Sequence, residues 1–254
     1  MITGVGIVSS IGTGQSDFFD ALMSGQSGIR SLADRTDHDA RPPDDASSDE
    51  LIDGVWIGSP VVDFDAKQFV RPRKALKVMC REIQMAFAAS QLAIQHADLG
   101  NYLPSTPDGR LKPERVAVVF GSANFLNPPA ELAESVKRCL DENGNVQTGQ
   151  FGDAARREVM PLWMLKYLPN MPACQVGISI NAQGPNNSLV LGDVSGPAAL
   201  IESQSYLQRG LADLALVGAT GTRINATRMC FRHDFPIAQR GPHELANTSR
   251  PHQA

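Results

Sequence analysis

The sequence predicts a layered α/β fold, and three observations carry the prediction. First, three short apolar runs end in glycine and small polar residues: residues 2–6 (ITGVG), 116–121 (VAVVFG) and 212–218 (ADLALVG). Second, none of them alternates with polar residues, which is the pattern of strands covered on both faces. Third, segments of helical periodicity separate them, and strands alternating with helices build a layered α/β domain.

The elements follow in order. Residues 75–97 place Leu76, Met79, Ile83, Phe87 and Ile94 at spacings of three, four and seven, with Gly100 as a stop signal. This predicts one long helix. Further helices are predicted over residues 129–140 and 153–168. A strand over residues 188–191 is followed by a helix over residues 195–209, with Ser195 as N-cap, Pro197 in the first turn and Gly210 at the end.

Two stretches read as surface. Residues 32–59 carry Asp34, Asp37, Asp39, Asp44, Asp45, Asp49, Glu50 and Asp53 beside Pro42 and Pro43. Their carboxylates lack the ordered spacing and central glycine of a calcium loop, so a solvated acidic loop is expected. The segment after residue 232 is polar and proline-punctuated, and residues 233–254 are expected to form a tail.

Composition narrows the function. With 42% apolar and 20% charged residues among 254, the chain is neither a disordered tail nor a disulfide mini-protein. A net charge of −4 gives no basic field for nucleic acid. No apolar run reaches the roughly 18–20 residues of a membrane span, and the start lacks the basic flank of a secretory signal. Cys80, Cys139, Cys174 and Cys230 are scattered without a CxxC pair, so no metal knuckle or redox motif is expected. A reduced, cytoplasmic setting is the default, and the residues call for no metal and no cofactor.

Two motifs weigh less than they first suggest. Gly4-Val5-Gly6 follows a short apolar run, but the third position of a dinucleotide fingerprint falls on Ser9, and no ribose-binding acid follows at about twenty residues. Close packing of the backbone explains these glycines better. The cluster Arg71, Arg73, Lys74, Lys77 and Arg81 opens the long predicted helix, and Lys74, Lys77 and Arg81 fall on one stripe. Cations there oppose the helix dipole by a few tenths of a kcal/mol each. The stripe is either an ordinary solvated face or a docking patch for an anionic partner.

The most informative stretch is GPNNSLVLGDVSG (residues 184–196), where an apolar strand runs into a sharp turn and then a helix. A side chain at such a junction stands beside free backbone N–H groups, an environment suited to a thiolate or an oxyanion. Asp193 occupies it.

Five separated segments, ITGVGIVSSIGTG, FFDALMSGQSGI, RKALKVMCREIQMAF, GPNNSLVLGDVSG and ADLALVGAT, resemble β-ketoacyl synthases of the thiolase superfamily, over residues 1–232 and over the family's N-terminal half only. The resemblance implies one half of a thiolase-like layered fold, a mixed sheet packed by helices. It also implies condensation of a carrier-bound acyl group with a malonyl-carrier unit, the acyl chain being held first on a cysteine while two histidines of the second half assist. Asp193 fills the position of that cysteine, with Gly192 before it and Ser195-Gly196 retained after it. Cys174 and Cys230 lie outside the motif, and His233 and His243 match neither histidine motif. Arg73, Lys74 and Lys77 fall where the family contacts the acidic acyl carrier protein.

These departures have chemical meaning. A carboxylate attacking a thioester would form a mixed anhydride, which is high in energy and water-labile, whereas thioester exchange on sulfur is nearly balanced. An unperturbed aspartate is ionised at neutral pH and would repel an incoming malonyl carboxylate. Its simplest role is to accept hydrogen bonds from the first helical turn.

The expected function is therefore a non-condensing, carrier-binding or scaffold partner in fatty-acid or polyketide-type synthesis. The alternatives are an active β-ketoacyl-carrier synthase, completed by another subunit or truncated from a longer chain, and a purely structural half-domain. A half-fold would expose a helix or sheet face, so a homodimer or a heteromer with a ketosynthase-like chain is expected.

Overall fold

The computed structural model describes residues 1–31, 57–225 and 227–228. The acidic stretch up to residue 56, the tail from residue 233, Cys230, His233 and His243 lie outside the described residues. In chain order the elements are β1 (Val8–Ser9), β2 (Gly12–Thr13), α1 (Gln15–Met23), β3 (Arg30–Ser31), β4 (Ile57–Gly58), α2 (Arg81–His96), β5 (Val116–Ser122), α3 (Ala130–Lys137), α4 (Phe151–Glu158), α5 (Met171–Ile180), β6 (Asn186–Leu189), α6 (Ser195–Gln208) and β7 (Leu214–Thr220). They divide between two compact units. The first comprises Met1–Gly28, Ser59–Phe125 and Leu165–Thr222, and the second is built mainly on Leu126–Met164.

The first unit is organised by a parallel sheet of order β6-β5-β7. Val116 to Ser122 pair with Leu214 to Thr220, and Val118 to Gly121 with Asn186 to Leu189. Every residue of β5 is buried, as its unbroken apolar run requires. Val116, Val118 and Phe120 point into a core shared with Ile83 and Phe87 of α2 and Val176 and Ile180 of α5. Each such side chain contributes about 1.5–3 kcal/mol by leaving water. The opposite parity, Ala117, Val119 and Gly121, faces α6: a β-carbon built on Gly121 would overlap the α6 backbone. The layered α/β class expected from the sequence is therefore present, as helices on both faces of a sheet. In the second unit α3 and α4 pack together, tied by an Arg138–Glu158 ion pair at 2.5 Å, and Trp163 Nε1 donates to Glu131 Oε2.

Several elements differ from expectation. Residues 2–6 form no strand: Val5 N–H donates to His96 Nδ1, and Gly4 and Gly6 lie so close to α2 that a β-carbon on either would overlap the backbone of Ala93 or Ala89. Backbone contact with a helix therefore explains the two glycines. The long helix over residues 75–97 is two pieces, a 3₁₀ helix at Arg73–Val78 and then α2, separated by extended Met79 and Cys80. The basic run would have crowded the positive end of one α-helix. Starting at Arg81 instead places Glu82 in the first turn. The helix over residues 153–168 stops at Glu158, because Pro161 cannot continue the ladder and Leu162 turns to φ +68°. A 3₁₀ turn at Trp163–Tyr167 follows. α1 and α5 have no counterpart among the expected elements.

Arg115 and Asp213 fasten the starts of β5 and β7. The guanidinium donates to both carboxylate oxygens, at 3.0 and 2.5 Å, and to the Gly210 carbonyl at 2.6 Å. Hydrogen bonds from Arg115 hold the Asp213 carboxyl below its ordinary range. A depressed carboxyl contributes stability above its unfolded pKa and loses it as pH falls through the folded one. The stability advantage of the parent over Asp213→Asn, read from urea midpoints, is expected to be constant near neutrality. It should shrink only as pH drops below the usual aspartate value.

Candidate functional site

β6 ends at Leu189, and Val190 and Leu191 carry the chain into a 3₁₀ turn, Gly192–Val194, from which α6 departs. This is the strand–turn–helix junction that the sequence predicts. Gly192 adopts φ +65°, a conformation that a β-carbon disfavours. Ser195 sits inside the junction, buried to 4% exposure. Its Oγ accepts the Leu191 N–H at 2.8 Å and donates to the Gly192 carbonyl at 2.7 Å.

Ser195 is therefore not the N-cap. Val194 holds that position and has no side-chain oxygen to offer. The hydroxyl braces the turn from within instead, closing the loop that Gly192 reverses. The sheet below makes room for it. Gly121 at the end of β5 touches the backbone of Ser195 and Gly196, and a β-carbon on Gly196 would lie 3.0 Å from the Ala219 Cβ of β7. Three small residues thus seat the first turn of α6 directly on the strand ends.

Asp193 stands in the middle of the turn and is exposed. The first amides of α6 have no acceptors within the helix, and the dipole there favours negative charge. The junction can hold an anion, and it already carries one of its own. No cysteine among the described residues belongs to it. Cys80 precedes α2, Cys139 follows α3 and Cys174 lies on α5. Burial, with the neighbouring Glu82 charge adding to it, pushes the Cys80 thiol far above its ordinary value, so it is no nucleophile.

The basic cluster is reshaped by the break before α2. Arg73, Lys74 and Lys77 are exposed on the 3₁₀ helix, where residues three apart eclipse one another, so Lys74 and Lys77 share an edge. Among the described residues none of the three makes an ion pair. Arg81 leaves the stripe expected of it. It is half-buried, donates to the Val61 carbonyl at 2.7 Å and lies over the Phe64 ring at 5.4 Å. Arg71 turns back to the Lys67 and Val70 carbonyls.

Sequence reasoning finds the junction and its aspartate but misses the brace. The signal is a serine two residues beyond the junction's centre, which reads equally well as a cap. The role of Gly121 is also readable only in part, since a glycine ending a strand has several meanings.

Comparison with known proteins places this geometry. Residues 1–247 match the family described as "Beta-ketoacyl synthase, N-terminal domain". The chain is 26% identical over 248 residues to a 3-oxoacyl-[acyl-carrier-protein] synthase 2 of Synechocystis sp., covering 93% of this chain and 51% of that protein. Among solved structures it is similar to the ishigamide ketosynthase/chain length factor, with TM-score 0.65, 17% identity, and 94% and 51% of the two chains covered. It is also similar to a type II polyketide ketosynthase bound to its acyl carrier protein and a hexaketide, AntDE:AntF, with TM-score 0.58, 15% identity, and 91% and 52% covered. The chain spans about half the length of the curated relatives it matches. The match of residues 1–247 makes this chain a member of the β-ketoacyl synthase family, carrying its N-terminal domain.

Proposed function

We propose that this chain is a non-condensing ketosynthase-like protein that binds an acyl carrier protein or serves as a scaffold partner in fatty-acid or polyketide-type synthesis. One observation carries the reading: the exposed side chain at the braced junction is the carboxylate of Asp193, which the resemblance puts at the family's nucleophile position. Carboxylate nucleophiles serve phosphoryl and glycosyl transfer. Toward a thioester this one would form an anhydride instead of exchanging one thioester for another. Its charge also opposes the approach of a malonyl carboxylate.

Carrier binding is assigned to Arg73, Lys74 and Lys77, three cations on one short exposed segment that make no ion pair among the described residues. A similar ketosynthase is known in complex with its acyl carrier protein, and an acidic partner would be steered to such a patch. The outward side of α6 supports association with a second chain. Val194, Leu200 and Ile201 are exposed there, Ile201 at 67%, and apolar patches of this kind mark interfaces. A homodimer or a heteromer with a ketosynthase-like chain is proposed on that ground, in a cytoplasmic setting. Among the described residues no helix is long and apolar enough to cross a membrane. Residues 1–232 are taken as the ketosynthase-like region and residues 233–254 as a polar tail.

The test uses a radiolabelled acyl-carrier thioester. No label should transfer to the chain, while the carrier should bind in a salt-sensitive manner. Lys74→Glu combined with Lys77→Glu should weaken that binding by about tenfold or more, since each reversal removes an attraction and adds a repulsion. Covalent labelling that disappears in Asp193→Ala would establish an acyl-transfer enzyme instead. Absence of carrier binding at low salt would leave a structural half-domain.

A further inference from the structure

The strand and the helix that flank the junction are joined a second time, farther back. Val119 of β5 faces α6 and stands opposite Asn187, and paired residues of a ladder share a face, so Asn187 is turned toward α6 as well. Its Nδ2 donates to Glu202 Oε1 at 2.8 Å, and the Tyr206 hydroxyl donates to the same oxygen. Glu202 lies two turns into α6, and Tyr206 one turn beyond it. The direction of the Asn187 amide is set by chemistry: a carboxylate offers only acceptors, so it must face the NH₂ group. That carboxylate also raises the Tyr206 phenol above its ordinary range, which keeps the hydroxyl a donor. All three residues are half-buried, which limits competition from water.

Two closures therefore surround residue 193. Ser195 makes the inner one, within the turn. The Asn187–Glu202 bond makes the outer one, across residues 188–201. The packing of α6 leaves the outer closure a task. The helix meets the sheet through Ser195, Gly196, Ala199 and Ser203, all of them small. Small side chains let a helix lie close, but they interlock weakly, because ridges key into grooves only where side chains protrude. Among the described residues Ser203 Oγ has no partner, so no hydrogen bond from this face beyond the first turn holds the helix in place.

We propose that Asn187, Glu202 and Tyr206 form a tether that fixes the placement of α6 against β6 and thereby holds residue 193 beside the first turn of that helix. They are positioning residues and act through the junction. The inference rests on reading Asp193 as the residue the junction presents, and it does not depend on carrier binding.

Two measurements on the full chain test this. In an Asp193→Cys background, the pH profile of iodoacetamide alkylation reports how closely the helix start approaches residue 193. Adding Asn187→Ala should move that profile up by about 0.2–0.7 in pH, the size of an ordinary helix-terminus interaction. Glu202→Ala should move it the same way, although loss of a nearby negative charge alone would move it down. Glu202→Gln keeps an oxygen for both donors and should cause no rise. With Asp193 in place, hydrogen exchange at the Leu191 amide, which Ser195 Oγ accepts, should quicken by about tenfold or more in the two alanine variants and not in Glu202→Gln. The Val118 amide, bonded inside the sheet to the Pro185 carbonyl, should stay protected throughout. An unmoved alkylation profile together with unmoved Leu191 exchange in Asn187→Ala would overturn the tether. So would Val118 exchange that rises in step with Leu191, since that marks general loosening of the fold. Absence of acyl loading on Asp193→Cys would instead count against the reading of Asp193, and the exchange rates would still decide the tether.

Discussion

Asp193→Cys is expected to gain covalent acylation from an acyl-carrier or small-molecule acyl thioester where the parent has none. The side chain at this position is exposed in a turn whose backbone is fixed by Gly192 and by the Ser195 brace. Thiols at helix N-termini have pKa values of about 3.5–7.5 against about 8.5 for free cysteine. The introduced thiol should therefore titrate at least about one unit below a free one, which the pH profile of iodoacetamide alkylation measures. The rate gain at neutral pH is smaller than the gain in ionised fraction, because a less basic thiolate is also less nucleophilic. Acyl loading is therefore the sharper readout, moving from none toward stoichiometric, with the label mapped to the peptide containing residue 193. Alkylation with an unshifted pH profile and no acyl loading would mean that the junction no longer provides the electrostatics its geometry implies.

Gly121→Ala should be the most damaging small substitution near the site. A single β-carbon there overlaps the backbone of Ser195 and Gly196, and the main chain at the start of a helix cannot swing aside as a flexible side chain could. Overpacking of this kind costs about 1–3 kcal/mol. For a chain of this size that lowers the melting temperature by about 2–4 °C per kcal/mol. Gly100→Ala is the matched control, since nothing lies within 4 Å of a β-carbon built there, and its effect should stay within about 0.5 kcal/mol. Equal stability of the two variants would show that α6 does not rest on the end of β5. Placed in the Asp193→Cys background, Gly121→Ala should also raise the alkylation pKa toward that of a free thiol, because a displaced helix no longer holds its first turn next to residue 193.

The sequence makes the sheet legible through the two runs that become β5 and β7, since burial on both faces leaves an unmistakable apolar block. It misleads at residues 2–6, where the same type of run lies against a helix and finds no ladder. Composition cannot distinguish a glycine that admits a helix backbone from one that turns a strand. Periodicity alone merges the 3₁₀ helix at Arg73–Val78 with α2, because Leu76, Met79 and Ile83 keep helical spacing across a break of two extended residues. At the site, the junction and Asp193 are readable from residue order. The Ser195 brace is not, because it depends on which way a polar side chain turns. The family resemblance suggests the proposed meaning of the aspartate, and the folded chain supplies its exposure.

The cations proposed for docking project from barely two turns of 3₁₀ helix that ends in buried, extended Met79 and Cys80. Such a segment holds its shape only while the rest of the protein clasps it, since short 3₁₀ runs have poor hydrogen-bond geometry and isolated short helices melt in water. A synthetic peptide copying this stretch would carry the right charges in the wrong arrangement, and a competitor fashioned after it would have to bring its own scaffold.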